Sequence, residues 1–257
     1  MVSLEPVPDE PAAVASIGSE RALVVADYHA GIEIELRQEG VELSSRATDR
    51  REAILSLLDE TNANRLIVVG DLTTEIGEPS PPERNELRTL LEQVTERVPM
   101  TIVKGNHDGS IETIVETVVS EHDPPHEIHV TPTDGYRIGA IGFVHGHTWP
   151  TPDVLNADVI GMGHEHPMVR LTDAVGGSRT ERVWLRGSLC PEPFETHHGT
   201  SIDIDGDLVV FPAFNDLTGG TWTNTGQGFL APYLPAGVRT TQAYLLNGTR
   251  LGRYDRI

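Results

Sequence analysis

Polar and apolar positions follow two rhythms in the first half of the chain. The short apolar runs "RALVVAD" (21–27), "RLIVVGD" (65–71) and "MTIVKGN" (100–106) read as buried strands. Between them lie amphipathic stretches rich in arginine and glutamate. "SRATDRREAILSLLDE" (45–60) puts Ile54, Leu57 and Leu58 on one helical face, and "PPERNELRTLLEQVTERV" (81–98) predicts a helix with prolines ahead of its first turn. A further helix is expected near 110–120. Strands separated by crossover helices imply a parallel sheet.

The second half has a different texture. "YRIGAIGFVHGH" (136–147), "DVIGMGHEHP" (158–167), "MVRLTD" (168–173) and "RVWLRGS" (182–188) are short strands with glycine-rich turns. "SIDIDGDLVVFPAF" (201–214) alternates around Asp205-Gly206, and "AYLLNGTRLGRY" carries Asn247-Gly248; both dipeptides predict hairpins. Residues 218–230 read as an irregular loop, and "EHDPPHEIH" as an acidic solvated loop. The expected fold is α/β, a four-layer αββα sandwich with two mixed sheets face to face and helices outside. We expect one domain over 1–257, with a core at about 20–215 and a 216–257 tail of loop plus C-terminal hairpin packed on it.

Composition changes the picture in three ways. No run approaches the roughly 18 apolar residues of a membrane span, and the acidic N-terminus lacks the pattern of a signal peptide, so a cytoplasmic protein is expected. Cys190 is the only cysteine, which excludes an intrachain disulfide and a cysteine zinc site. Net charge is −20, and 18 of the 19 basic residues are arginine, Lys104 being the exception. Such a surface suits molar salt, where the Debye length falls to about 3 Å, and predicts a salt-in halophile. In that setting acidity no longer argues against a nucleic-acid substrate.

Each of the three first-half strands ends in polar groups: Asp27 and His29 in "DYH", Asp71 after Gly70, and Asn106, His107 and Asp108 after Gly105. In open parallel α/β sheets ligands bind beyond the carboxyl ends of strands, so these groups should converge. "FVHGHTW" adds His145 and His147, and "GMGHEHP" adds His164 and His166. In an extended segment residues i and i+2 share a face, so each H-x-H pair is expected to aim both rings one way. Two aspartates, one asparagine and four histidines are too many ligands for one ion. They suit two ions sharing a carboxylate, with Asp71 the natural bridge. Mixed imidazole and carboxylate donors favour manganese, iron or zinc over calcium or magnesium.

"DYH", "GD", "GNHD", "HGH" and "GHEH", in this order, resemble the five motifs of the calcineurin-like metallophosphoesterases. The flanking "ADYHAGIEIELRQEGVEL", "FVHGHTWP", "GHEHP" and "PAFNDLTGGTWTN" resemble the ICC-like branch related to SbcD-type nucleases. The resemblance implies that Asp27, His29 and His166 hold one metal, that Asn106, His145 and His164 hold the other, and that Asp71 bridges them. It implies that His107 donates a proton to the leaving oxygen, with Asp108 as its orienting partner; His147 is left to substrate contact or support of the ligands. Relatives often carry basic residues after the "GD" aspartate, where this chain has Leu72, Thr73 and Thr74. The implied activity is hydrolysis of phosphate esters by metal-bound hydroxide, with two divalent ions, Mn2+ ahead of Fe or Zn, as the expected cofactors. Nucleic acid is the expected substrate, and a small-molecule ester or nucleotide the alternative. A non-catalytic scaffold of the same fold ranks below both. A DNA helicase partner is implied by the resemblance alone.

Overall fold

The computed structural model describes residues 3–173, 175–225 and 228–257. The chain enters through a hairpin that the apolar rhythm does not announce, β1 (Ser3–Pro6) and β2 (Ala12–Ile17). There follow β3 (Glu20–Val25), α1 (Ile32–Gln38), α2 (Ala47–Thr61), β4 (Arg65–Val69), α3 (Pro81–Thr95), β5 (Met100–Val103), α4 (Ile111–His122) and β6 (Ile128–Thr131). The second half contains β7 (Tyr136–Ile138), β8 (Ile141–Val144), α5 (Pro152–Leu155), β9 (Val159–Met162), β10 (Met168–Thr172) and β11 (Ser178–Leu189). It ends with α6 (Pro191–His198), β12 (Asp207–Val210), β13 (Val238–Leu245) and β14 (Arg250–Arg253).

The first six strands form one sheet in the order β1-β2-β3-β4-β5-β6, in which β3 to β6 run parallel and the entry hairpin is antiparallel. The second sheet has the order β14-β13-β11-β12-β9-β8-β7, with β10 pairing β11 off that path. Only its β8-β9-β12 centre is parallel. Both sheets are therefore mixed.

Alternation along the strands explains the layering. Leu23, Val25, Leu66, Val68, Met100 and Ile102 face the helices α2, α3 and α4, whose Ile54, Leu57, Leu58, Leu87, Leu90 and Val118 complete that layer. Their neighbours Ala22, Val24, Ile67 and Val69 face the other sheet. There the small Ala13, Ala15, Ala22 and Ala26 receive the large Phe143, Trp184 and Phe211, with the last two rings 4.7 Å apart. A third core lies between the second sheet, α5, α6 and the tail. Two sheets face to face with helices outside make the four-layer α/β sandwich.

Two local readings need correction. Asp205-Gly206 does not turn a hairpin: 201–206 has no strand, and only β12 follows, pairing with β9 and β11. The alternation there comes from Ile202 and Ile204 dipping into the third core. Gly206 serves close approach instead, since a Cβ would lie 2.3 Å from the Ala157 carbonyl. "EHDPPHEIH" is likewise not all loop, because Ile128–Thr131 pairs with β5 as an edge strand. Asn247-Gly248 does turn the β13–β14 hairpin, with Gly248 at φ 82°.

One buried ion cluster ties three helices together near the strand ends. Arg50 of α2 donates to Glu33 of α1 at 2.7 and 3.0 Å, and to Glu86 of α3 at 2.8 and 3.1 Å. The free Glu86 oxygen accepts the Gly31 N–H at 2.9 Å, which pins the chain two residues past His29. Burial pushes the Glu33 carboxyl up, and the Arg50 guanidinium outweighs it, holding Glu33 below the usual carboxylate range. An Arg50→Ala variant leaves two buried carboxylates without their cation and is expected to lose about 3–5 kcal/mol of stability in denaturant titrations. A depressed carboxylate stabilises only above its unfolded pKa, so the gap to wild type should narrow as pH falls below about 4.3.

Candidate metal centre

Five parallel strand ends supply the polar groups. Asp27 and His29 follow β3, Asp71 follows β4, and Asn106 and His107 follow β5; His145 follows β8, and His164 and His166 follow β9. The backbone ladder continues past the strands, with Asp27 N–H donating to Gly70 C=O at 3.1 Å and His29 N–H to Asp71 C=O at 2.9 Å. Beyond that point the chain turns into left-handed conformations: φ is 58° at Asp27, 47° at His29, 50° at Asp71, 70° at His164 and 43° at His166. Such conformations cost a non-glycine residue about 1–3 kcal/mol each and persist where surrounding contacts impose them. Glycines clear the space. A Cβ on Gly70 would lie 2.1 Å from His145 Nδ1, and one on Gly105 2.1 Å from Asp71 Oδ1.

The side chains gather into two adjoining groups, Asp27 with His29 and His166, and Asp71 with His145 and His164, the donor atoms of each lying within 4.8 Å of one another. Asp71 Oδ2 is the hub between them: His145 Nε2 lies 3.2 Å away, His29 Nε2 3.8 Å and His107 Nε2 3.9 Å. Asn106 Oδ1 lies 3.1 Å from His145 Nε2. His147 belongs to neither group, although its ring is centred 5.3 Å from that of His145 and its buried Nδ1 has no partner among the described residues.

This donor set fits cations. A carbonyl can only accept, so His145 Nδ1–H donates to Val69 C=O at 3.2 Å and His166 Nδ1–H to Gly219 C=O at 2.9 Å. Each Nε2 is thereby left with its lone pair. Yet His145 Nε2 faces Asp71 Oδ2 at 3.2 Å, and His166 Nε2 faces Asp27 Oδ1 at 3.3 Å. Acceptor against acceptor at these distances demands a positive charge between them. Without metal a proton answers that demand. Although burial opposes the charge, Asp71 and Asp27 raise His145 to about 9, and Asp27 raises His166. Asp27 and Asp71 are correspondingly held low by the imidazoles against their burial. Burial and neighbouring rings push His29, His147 and His164 down to about 4.

Two expectations are corrected by the geometry. Asp108 does not orient the His107 ring. Its buried carboxylate accepts the N–H groups of Gly105 at 2.8 Å and Thr73 at 3.1 Å, binding the β4 and β5 turns together. The His107 ring is fixed instead by Nδ1–H donating to Thr74 C=O at 2.5 Å. Nor is the His164–His166 pair extended: both residues sit in left-handed turns, and His164 lies in one group and His166 in the other, the division the motif resemblance implies. Leu72, Thr73 and Thr74 are buried rather than turned to the cleft.

The groups form the floor of a cleft of about 540 Å³, lined further by Glu165 and by Gly219, Gly220, Thr221, Gly228 and Leu230 of the tail. The motifs "GHEHP" and "PAFNDLTGGTWTN" contain Glu165 and the start of the tail wall, but the motif resemblance assigns neither a place in the site. The conspicuous glycines of 219–228 were the available signal, since Gly220 lies where a Cβ would meet the His166 carbonyl at 2.2 Å.

A four-layer α/β sandwich with imidazole and carboxylate groups paired at its strand ends is the framework of a metal-dependent hydrolase. Residues 20–199 match the calcineurin-like phosphoesterases, and the chain belongs to that family of metal-dependent phosphoric ester hydrolases. Among solved structures it is similar in fold to the nuclease MPE of Pseudomonas putida, with a TM-score of 0.58 and 16% identity over 97% of this chain and 100% of that one. The phosphoesterase YfcE of E. coli is matched with a TM-score of 0.34 and 18% identity over 60% of this chain and 74% of that one. No curated protein matches the chain.

The family and the two clusters together define a candidate dinuclear site for divalent metal. Manganese at 100 times its dissociation constant is expected to add about 2.7 kcal/mol to the stability of the metal-free protein. A scanning calorimetry series in manganese checks this. Gly105→Ala, which drives a methyl into Asp71, should abolish most of the metal-dependent shift.

Proposed function

We propose that this chain is a phosphodiesterase acting on nucleic acid, cleaving its substrate over two divalent ions. The observation that supports this most directly is the composition of the cleft: no arginine or lysine is among its described lining residues. Phosphate charge is then left to the metals. A diester, with one negative charge, asks less of such a cleft than a phosphomonoester, which carries about −1.5 to −2 at neutral pH. The fold likeness to a nuclease supports nucleic acid as the diester.

In this reading Asp27, His29 and His166 hold one ion, Asn106, His145 and His164 the other, and Asp71 both, with manganese the metal we expect. Bound divalent ions supply Lewis-acid neutralisation of the phosphoryl oxygens and activation of water. The chain's own contribution is to place the groups before substrate arrives. Gly219 and Val69 carbonyls fix the His166 and His145 tautomers. His107, anchored through Nδ1 on Thr74, keeps Nε2 on the cleft side to hand a proton to the leaving oxygen.

The net charge of −20 favours a second reading, a small diester or nucleotide, because a polyanion is repelled at low salt. We assign the acidic, lysine-poor surface to a cytoplasm of molar salt, where that repulsion is screened. A DNA helicase partner belongs to the nucleic-acid reading.

The test is an assay with manganese in molar potassium chloride, comparing bis(p-nitrophenyl) phosphate, p-nitrophenyl phosphate, and single- and double-stranded DNA. Cleavage of DNA and of the diester, with little of the monoester, is expected. Diester cleavage without DNA cleavage would transfer the assignment to small molecules. His107→Ala should lower kcat by about 10²–10⁴-fold on these substrates, and unchanged turnover would remove its acid role.

A further inference from the structure

Glu165 stands between two histidines of the site, is fully buried, and lines the cleft. A carboxylate in that position invites assignment as a metal ligand. Its oxygens are already taken. Oε1 accepts the backbone N–H of Leu230 at 2.9 Å and of Ala231 at 2.7 Å; Oε2 accepts the Thr221 hydroxyl at 2.9 Å and Leu230 N–H at 3.1 Å. All three donor residues belong to the tail.

Further bonds run the same way. Thr221 N–H donates to Glu165 C=O at 3.0 Å, and Met168 N–H to Thr221 C=O at 2.9 Å. Gly219 C=O takes the His166 Nδ1–H at 2.9 Å. The tail thus lies directly on the turn that carries His164 and His166, and it forms one wall of the cleft. The tip of that wall is Leu230, 61% exposed although apolar.

We infer that Glu165 is a positioning residue: it straps the tail across the His164–His166 turn, so that one carboxylate sets both the His166 ring and the wall that receives the substrate's second organic group. The inference rests on the diesterase reading above. A diester has two organic groups, and only one departs with the proton from His107. The retained group needs a surface, and the tail presents an apolar one at the cleft edge. A monoester makes no use of it.

The experiment compares Glu165→Ala and Glu165→Gln with wild type by amide hydrogen exchange, metal titration calorimetry and steady-state kinetics. In Glu165→Ala, exchange at the Leu230 and Ala231 amides should quicken at least about tenfold as their acceptor is lost. Metal affinity should fall about 10–100-fold as His166 loses its support. KM for bis(p-nitrophenyl) phosphate should rise about tenfold while kcat at saturating metal changes less than about threefold. Glu165→Gln, which keeps one acceptor for the two amides, should recover most of each effect. Unchanged exchange, or a loss confined to kcat, overturns the strap. Should Glu165→Ala fail to fold, Thr221→Val removes one bond of the set and must show a smaller shift of the same pattern. A wild-type protein inert toward diesters would overturn the functional reading instead, while exchange and calorimetry still decide the strap.

Discussion

The structure is organised around a concentration of lone pairs that cannot be tolerated without positive charge. Asp71 Oδ2 faces three imidazole nitrogens, at 3.2, 3.8 and 3.9 Å, in a place from which bulk water is largely excluded. Two of these rings, His145 and His107, have their other nitrogen committed to a carbonyl, so they cannot relieve the crowding by changing tautomer. Either protons or metal ions must sit among these atoms. The rest of the fold is a means of holding that arrangement against its own repulsion.

Several levels of structure contribute to the holding. Alternating strands place small alanines of one sheet beneath large aromatic residues of the other, which fixes how the two sets of strand ends meet. The left-handed turns at Asp27, His29, Asp71, His164 and His166 are individually unfavourable and persist where surrounding contacts hold them. Asp108 then binds two of the turns together from below, and the Arg50 cluster fixes the departure of the chain after His29. A site built on rigid strand ends with its ligands oriented by further hydrogen bonds needs little rearrangement when charge enters it.

The tail is the less expected part of the site. It contributes backbone, through Gly219, and a wall, through Thr221 and Leu230, to a centre whose chemical groups all come from elsewhere. A buried carboxylate flanked by two site histidines is used for attachment, not for coordination. This division of labour separates the candidate metal-binding groups from what shapes the cleft.

Strand runs, the long helices and the order of polar groups were legible in the sequence, because burial imposes a period of two or 3.6 and catalytic groups follow strand ends. The entry hairpin, α1, α6 and β6 were not: β1, α1, α6 and β6 bury few residues and leave weak periodicity, and β2 is a short buried run made mostly of alanine. The Asp205-Gly206 reading failed because Ile202 and Ile204 alternate for core contact alone. Residue types pointed to the chemistry: oxygen and nitrogen donors without thiolate, in numbers beyond one ion. Their partition was implied by the order of the family motifs and by no local pattern. Tertiary structure alone decided what turns the His107 ring and where the Glu165 carboxylate points, because both depend on contacts between segments far apart in the chain, which leave no local pattern to read.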